Sequence, residues 1–246
     1  HQPMISSSER YVIVFNGEIY NHLELRVELE NCNRLLPSTS RVAGFANWRG
    51  HSDTEVILEA VEQWGVVESL TRFNGMFAFA LWDSHEHVLF LARDRFGEKP
   101  LYYGLMNNTF LFGSELKSLK AHSSWNGEID RGALALFMRH TYIPAPYSIY
   151  SGIRKLMPGH FLRISSQPNP NWEIPQPHPY WSLKTIAENG VRNQLSGSEV
   201  ELTDELDVLL RDAVRIRMEA DVPLGAFLSG GIDSSTVVAL MRAATN

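Results

Sequence analysis

The chain has 246 residues, 44% hydrophobic and 20% charged, with a formal net charge of −6, globular proportions that suit one large or two ordinary domains. The acidic balance excludes an electrostatic footprint for nucleic acid or an anionic membrane, so small molecules or protein are the expected partners. Cys32 is the single cysteine, which excludes an internal disulfide and suits a reducing cytoplasm, and no apolar run approaches the ~20 residues of a membrane helix.

Tyr11 to Phe15 is a β-branched and aromatic strand that ends at Asn16-Gly17, the favoured pair of a hairpin turn. Ile19 to Glu30 follows as a helix. Ser52 with Glu55 forms a capping box, and Val56, Ile57, Ala60, Val61 and Trp64 recur behind it at helical spacing. Phe77 to Trp82 is a continuous apolar run, read as a buried strand, and the polar turn Asp83 to His87 joins it to a second strand, Val88 to Ala92. Asn107-Asn108 joins Leu101–Tyr103 to Phe110–Phe112 in another antiparallel hairpin. Sheets this apolar need cover on both faces, which predicts a helix-covered sheet sandwich.

Between Gln167 and Pro179 fall five of the twelve prolines, a composition that predicts an extended linker or surface excursion. From Thr203 the residues Leu206, Leu209, Leu210, Ala213 and Val214 build an amphipathic helix that leads to a strand at Gly225 to Leu228. Ser229-Gly230-Gly231-Ile232-Asp233-Ser234-Ser235 then opens another helix. Two glycines let a bulky anion approach the backbone, and the first N–H groups of a helix point at it with the positive end of the dipole behind them. That is the build of a pyrophosphate cradle, and the likeness of this run to the ATP pyrophosphatase signature implies Leu228, Ser229, Gly230, Gly231, Asp233, Ser234 and Ser235 as its nucleotide ligands. Asp233 cannot hold an anion itself and suggests Mg2+ between carboxylate and phosphate oxygens. The plainer alternative is a glycine turn before a helix capped by Ser234.

Taken alone, Asn16-Gly17 is explained by a hairpin turn; chemically, an Asn amide and the Gly17 N–H are two donors that can face the oxyanion of an amide under attack. Asp53 has a plain role in the first turn of a helix, where the dipole stabilises a carboxylate. Arg93 and Asp94 read mainly as a charge-paired turn between hairpins. His85 and His87 sit two apart in a polar turn without a third ligand at metal spacing, which leaves them as exposed turn residues.

The ordered motifs Asn16-Gly17-Glu18-Ile19-Tyr20-Asn21, Ser52-Asp53-Thr54-Glu55, Phe73-Asn74-Gly75-Met76-Phe77-Ala78, Arg93 to Tyr103, Ser114-Glu115-Leu116-Lys117 and Tyr142-Ile143-Pro144-Ala145-Pro146 closely resemble glutamine-hydrolysing asparagine synthetases of the bacterial type. The glycine turn at Ser229 resembles the signature of ATP pyrophosphatases. The resemblance implies an α+β four-layer αββα sandwich of the N-terminal-nucleophile hydrolase type over residues 1–166. A linker over 167–198 and the start of an open-sheet α/β ATP-pyrophosphatase domain over 199–246 would follow it.

It implies Asn16 and Gly17 as oxyanion hole, Glu18 and Asp53 as holders of the glutamine ammonium, and an interdomain or substrate-side role for Ser114 and Glu115. It also implies ATP and Mg2+ as cofactors, glutamine and aspartate as substrates, and pairing of two chains through their glutaminase domains. The family's nucleophile is a cysteine at the mature N-terminus, and its substrate-clamping arginine lies in the same segment. Neither matches a residue of this chain, which reads as a piece of a longer protein. Cys32 lacks a free amine or adjacent base and is expected to be an ordinary thiol. The implied activity is ATP-dependent asparagine synthesis through an aspartyl-adenylate. The alternatives are amidation of another carboxylate, such as a sugar acid, closure of a β-lactam ring, or a non-catalytic regulatory or binding module on the same fold.

Overall fold

The structure, a computed structural model, describes residues 2–35, 48–166, 173–218 and 223–245. In chain order its first unit contains β1 (Met4–Ile5), β2 (Tyr11–Ile19), α1 (His22–Leu35), α2 (Asp53–Trp64), α3 (Val66–Arg72), β3 (Gly75–Asp83) and β4 (Val88–Arg93). There follow β5 (Tyr102–Met106), β6 (Thr109–Gly113), α4 (Leu116–Lys120), α5 (Arg131–His140), β7 (Ile153–Lys155), β8 (His160–Ser165) and β9 (His178–Pro179). The strands form an antiparallel six-stranded sheet, β1-β2-β3-β4-β8-β9, and an antiparallel three-stranded sheet, β6-β5-β7.

Alternation along β3 sets the layer order. Phe77, Phe79 and Leu81 point to one face of the large sheet, where they pack with Leu25 and Leu29 of α1, Val56, Ile57 and Val61 of α2, and Leu70 of α3. Ala78 and Ala80 point to the other face and meet Leu101 and Tyr103 beside the small sheet, with Leu91, Leu162 and Ile164 in the same core. Beyond the small sheet, Met106, Leu111 and Ile153 pack on Leu119 of α4. The result is helix, sheet, sheet, helix. A strand buried on both faces reads as an unbroken apolar run, which is why Phe77 to Trp82 shows no alternation.

Both expected hairpins form, with Asp83 opposite Val88 and Met106 opposite Thr109. Asn107 and Asn108 take φ of 47° and 59°, the left-handed pair that a two-residue hairpin turn requires.

Asn16-Gly17 is not a turn. β2 runs through it to Ile19 in unbroken register with β3, Gly17 opposite Phe77. The glycine is needed for close approach, because a Cβ there would overlap the Met76 carbonyl oxygen and the Phe77 Cα. The helix expected from Ile19 consequently begins at His22. The Ser52–Glu55 capping box does not close either: Ser52 Oγ accepts from the Thr54 N–H at 3.2 Å, but the Glu55 carboxylate accepts from the Arg49 and Gly50 amides at 2.5 and 3.1 Å.

The first compact unit runs to Leu183. Within the expected linker, residues 167–172 lie outside the described residues, whereas His178 and Pro179 pair with Phe161 and His160. Pro179 is tolerated because β9 is an edge strand, where a missing N–H breaks no ladder.

The second unit, Lys184–Asn246, contains α6 (Leu183–Arg192), most of which lies in it, with α7 (Glu199–Arg215) and α8 (Ile232–Ala244). α7 starts earlier than Thr203 because Ser198 and Glu201 form a complete capping box. The strand expected at Gly225 to Leu228 is not formed: these residues carry no regular secondary structure, and Phe227 is fully exposed. A strand exists by pairing, and the described elements of this unit are all helices.

Candidate functional site

The carboxyl end of β2 carries Asn16, Gly17 and Glu18. Phe15 and Ile19 are buried against the helices, so Asn16 and Glu18 project from the opposite face, toward the small sheet. Asn16 Nδ2 donates to Ser114 Oγ at 3.0 Å, across a chain separation of 98 residues. A cavity of about 210 Å³ opens beside this pair, bounded by Gln2, Val14, Leu101 and Phe112 among others.

The direction of the Gly17 amide follows from its neighbour. Phe77, opposite Gly17, turns both backbone groups to Asp94: its C=O accepts from the Asp94 N–H at 2.8 Å and its N–H donates to Asp94 Oδ2 at 3.2 Å. Gly17 and Phe77 are therefore a non-hydrogen-bonded antiparallel pair, and the Gly17 N–H points to the outer edge of β2. Two residues earlier on that edge, the Gln2 side-chain amide holds Phe15, accepting from its N–H at 2.8 Å and donating to its C=O at 2.7 Å. The Asn16 side chain and the Gly17 backbone thus present two donors at one strand end.

Asp53 is brought to the same end from the other face. It lies in the first turn of α2, and its Oδ2 accepts from the Ile19 N–H at 3.0 Å. Its Oδ1 takes the Thr54 hydroxyl at 3.3 Å. Besides the helix-end role read from sequence, Asp53 therefore ties α2 to the last residue of β2. Asn21 completes the fixing, donating to the Arg72 carbonyl at 3.0 Å and accepting from the Asn74 N–H at 2.9 Å.

Arg93 and Asp94 organise the adjacent loop, and they do so through backbone groups, not through an ion pair with each other. Asp94, 1% exposed, accepts from Phe96 and Glu98 at Oδ1 and from Lys99 and Phe77 at Oδ2. The Arg93 guanidinium donates to the carbonyls of Lys99, Leu156 and Gly97 at 2.6–2.7 Å. Burial pulls the Arg93 guanidinium below its usual range, against the stabilising charge of Asp94. Tyr180, unmarked by any local sequence signal, donates to the Arg93 carbonyl at 2.8 Å, and burial pushes its phenol well above the ordinary value.

Cys32 lies away from this end. It shares a face of α1 with Leu25 and Leu29, half-buried, about 15 Å along the helix from His22 at 1.5 Å per residue. His85 and His87 are exposed in the β3–β4 turn, and no group of three or more His, Cys, Asp or Glu suited to a metal occurs among the described residues.

In the second unit, Gly230 adopts φ of 82°, a left-handed conformation, just before Gly231 caps α8. Gly231 supplies no side-chain acceptor, so the first amides of α8 keep their donor capacity. Ser234 does not cap the helix: its hydroxyl lies 2.9 Å from Ser229 Oγ and 3.2 Å from the Gly231 carbonyl, closing the turn. Asp233 sits in the first helical turn.

The first unit is thus an antiparallel α+β sandwich with two hydrogen-bond donors, the Asn16 amide and the Gly17 N–H, at the end of β2. The chain belongs to the glutamine amidotransferase domain family, whose profile matches residues 1–181. Residues 205–246 match the asparagine synthase family. The chain is 36% identical over 241 residues to asparagine synthetase (glutamine-hydrolyzing) 1 of Bacillus subtilis strain 168, covering 98% of this chain and 34% of that protein. It is 38% identical over 242 residues to putative asparagine synthetase (glutamine-hydrolyzing) 2 of Methanocaldococcus jannaschii, covering 96% of this chain and 41% of that protein. The chain therefore spans between a third and about two-fifths of the length of these curated relatives. Among solved structures, glutamine phosphoribosylpyrophosphate amidotransferase from B. subtilis is similar with a TM-score of 0.47 and 20% identity, covering 73% of this chain and 32% of that one.

Proposed function

We propose that this chain is the glutaminase domain, with the opening of the ATP-binding domain, of an enzyme that makes asparagine from aspartate, glutamine and ATP. The observation that carries the reading is the succession of a glutamine amidotransferase match and an asparagine synthase match along one chain. In the first domain, Asn16 Nδ2 and the Gly17 N–H stabilise the oxyanion that forms when a thiol attacks the glutamine amide. Removing one such donor typically costs about 3 kcal/mol of transition-state stabilisation. Glu18 and Asp53 accept from the substrate ammonium. The attacking thiol is not Cys32, whose place on α1 is remote from the donors.

In the second domain the amides at Gly230 to Ser234, with Ser229 and Ser235, hold the pyrophosphate portion of ATP, and Leu228 lies beside the nucleotide. The donor set suits Mg2+ only as a shared ion: Asp233, the single carboxylate in this turn, would hold it together with phosphate oxygens and water. Mg2+ there would neutralise charge on the departing pyrophosphate. Adenylation of the aspartate carboxylate supplies the leaving group that ammonia displaces. A cytoplasmic location and pairing of two chains belong to the same proposal. Among the described residues no helix is long and apolar enough to cross a membrane.

The test is pyrophosphate release by the full-length polypeptide with Mg-ATP, glutamine and aspartate. Release that depends on all three is expected. Release with a sugar acid or another carboxylate in place of aspartate transfers the reading to a related amidotransferase, and no glutamine hydrolysis at all leaves only a binding module.

A further inference from the structure

We infer that Ser114 is a positioning residue for glutamine hydrolysis, an inference that rests on the oxyanion role proposed above for Asn16. A primary amide carries two hydrogens on one nitrogen. One Nδ2 hydrogen of Asn16 goes to Ser114 Oγ at 3.0 Å, and the other remains for the developing oxyanion. Asn16 is exposed, and its terminal torsion is soft, with two broad orientations that present either the nitrogen or the oxygen. Presenting Oδ1 to an oxyanion would replace attraction by repulsion. The Ser114 bond is the one side-chain hydrogen bond that Asn16 makes among the described residues, so Ser114 sets the plane in which its free N–H points.

Ser114 is itself on a firm support. It directly follows Gly113, which pairs with Tyr102 at the end of β6, and it precedes α4, whose Leu119 is 2% exposed in the core beyond the small sheet. A Cβ on Gly113 would meet Leu119 Cδ1 at 2.9 Å, so β6 and α4 are closely joined at this point. The small sheet thus orients a donor that the large sheet carries. Holding a catalytic donor by a side chain from a separate rigid element is the arrangement that keeps it aligned without reorganisation during the reaction.

The experiment compares the full-length polypeptide with its Ser114→Ala, Ser114→Thr, Asn16→Ala and Asn16→Ala/Ser114→Ala variants in glutamine hydrolysis and in ammonia-dependent pyrophosphate release. Ser114→Ala is expected to lower kcat for glutamine about tenfold, less than the loss of the Asn16 donor itself, with KM within about twofold. Ser114→Thr, which keeps the hydroxyl, restores kcat, and the double variant is no slower than Asn16→Ala because the positioned group is already gone. Ammonia-dependent release stays at the unaltered level. An unchanged kcat in Ser114→Ala, a further loss in the double variant, or a parallel fall in ammonia-dependent release overturns the inference. If Ser114→Ala does not fold, Ser114→Cys, whose sulfur is a weak acceptor of nearly the same shape, is expected to show the same selective loss of kcat, and full activity in it overturns the inference. Absence of glutamine hydrolysis in the unaltered protein overturns the proposed function instead, which keeps the two failures apart.

Discussion

The side-chain amide of Gln2 pairs with both backbone groups of Phe15, at 2.8 Å to the N–H and 2.7 Å to the C=O. A side chain here does the work of a neighbouring strand and leaves the next amide on that edge, Gly17, turned outward. Gln2→Ala is expected to lower stability by about 2 kcal/mol, the typical net worth of two such bonds at about 1 kcal/mol each, and to reduce glutamine hydrolysis as the β2 edge loosens. Gln2→Glu should lose more activity, because it keeps the acceptor for Phe15 but places a negative charge beside the oxyanion. Chemical denaturation and glutaminase kinetics on both variants check this. Equal activity in Gln2→Ala and the unaltered protein would show that the edge needs no clamp.

Asp53 holds Ile19, and the proposed function gives it a second, separable job, receiving the glutamine ammonium. Asp53→Asn keeps an acceptor for the Ile19 N–H and removes the charge, so stability is expected to hold while KM for glutamine rises about tenfold, as loss of a charge-assisted contact implies. Asp53→Ala should add a loss of ~1.5–3 kcal/mol in folding stability, the range for hydrogen bonds to charged groups. A KM unchanged in Asp53→Asn would confine Asp53 to fastening β2.

Local rules served where tertiary structure agreed with them. The Asn107-Asn108 hairpin and the double-faced β3 were readable because turn chemistry and burial each act over a few residues. Asn16-Gly17 obeys the same turn preference, yet β3 approaches so closely at Met76 and Phe77 that the glycine serves inside a strand. Glu55 stands at the right spacing for a capping box, but the amides of Arg49 and Gly50, brought by the preceding loop, capture its carboxylate. The residue types of the candidate site were legible in order along the chain. The Ser114 bond to Asn16 and the Tyr180 bond to Arg93 were not, because each joins residues 98 or 87 positions apart through pairings that no local pattern encodes.

Asp94 is expected to be among the most sensitive structural positions of the first unit. Its carboxylate, 1% exposed, accepts from four backbone N–H groups of β3 and the following loop. Asp94→Ala strands those donors in a buried site and should cost about 3 kcal/mol or more. Asp94→Asn, which retains one acceptor oxygen, should fall between. Urea unfolding of the three proteins reads the order directly, and an Asp94→Ala midpoint equal to the unaltered one would refute the assignment.

Glu59 makes stability depend on pH in the direction opposite to that of most carboxylates. On α2 and 7% exposed, it accepts from the Ser7 hydroxyl at 2.7 Å through Oε1, while Oε2 has no partner. Burial, foremost, raises its pKa above the ordinary value of 4.5; the Ser7 hydrogen bond opposes this, Glu62 and Glu55 add to it, and Arg49 opposes it. Between the unfolded and the raised folded value the folded protein therefore binds more protons than the unfolded chain, so this group's contribution to stability falls as pH rises from about 4.5. Glu59→Gln removes the titration and keeps the oxygen that Ser7 bonds. The difference in stability between the unaltered protein and Glu59→Gln is thus expected to shift toward the variant on going from pH 4 to pH 7. Thermal melts of the two proteins across that range measure it, and parallel curves would mean that Glu59 titrates alike in the folded and unfolded protein.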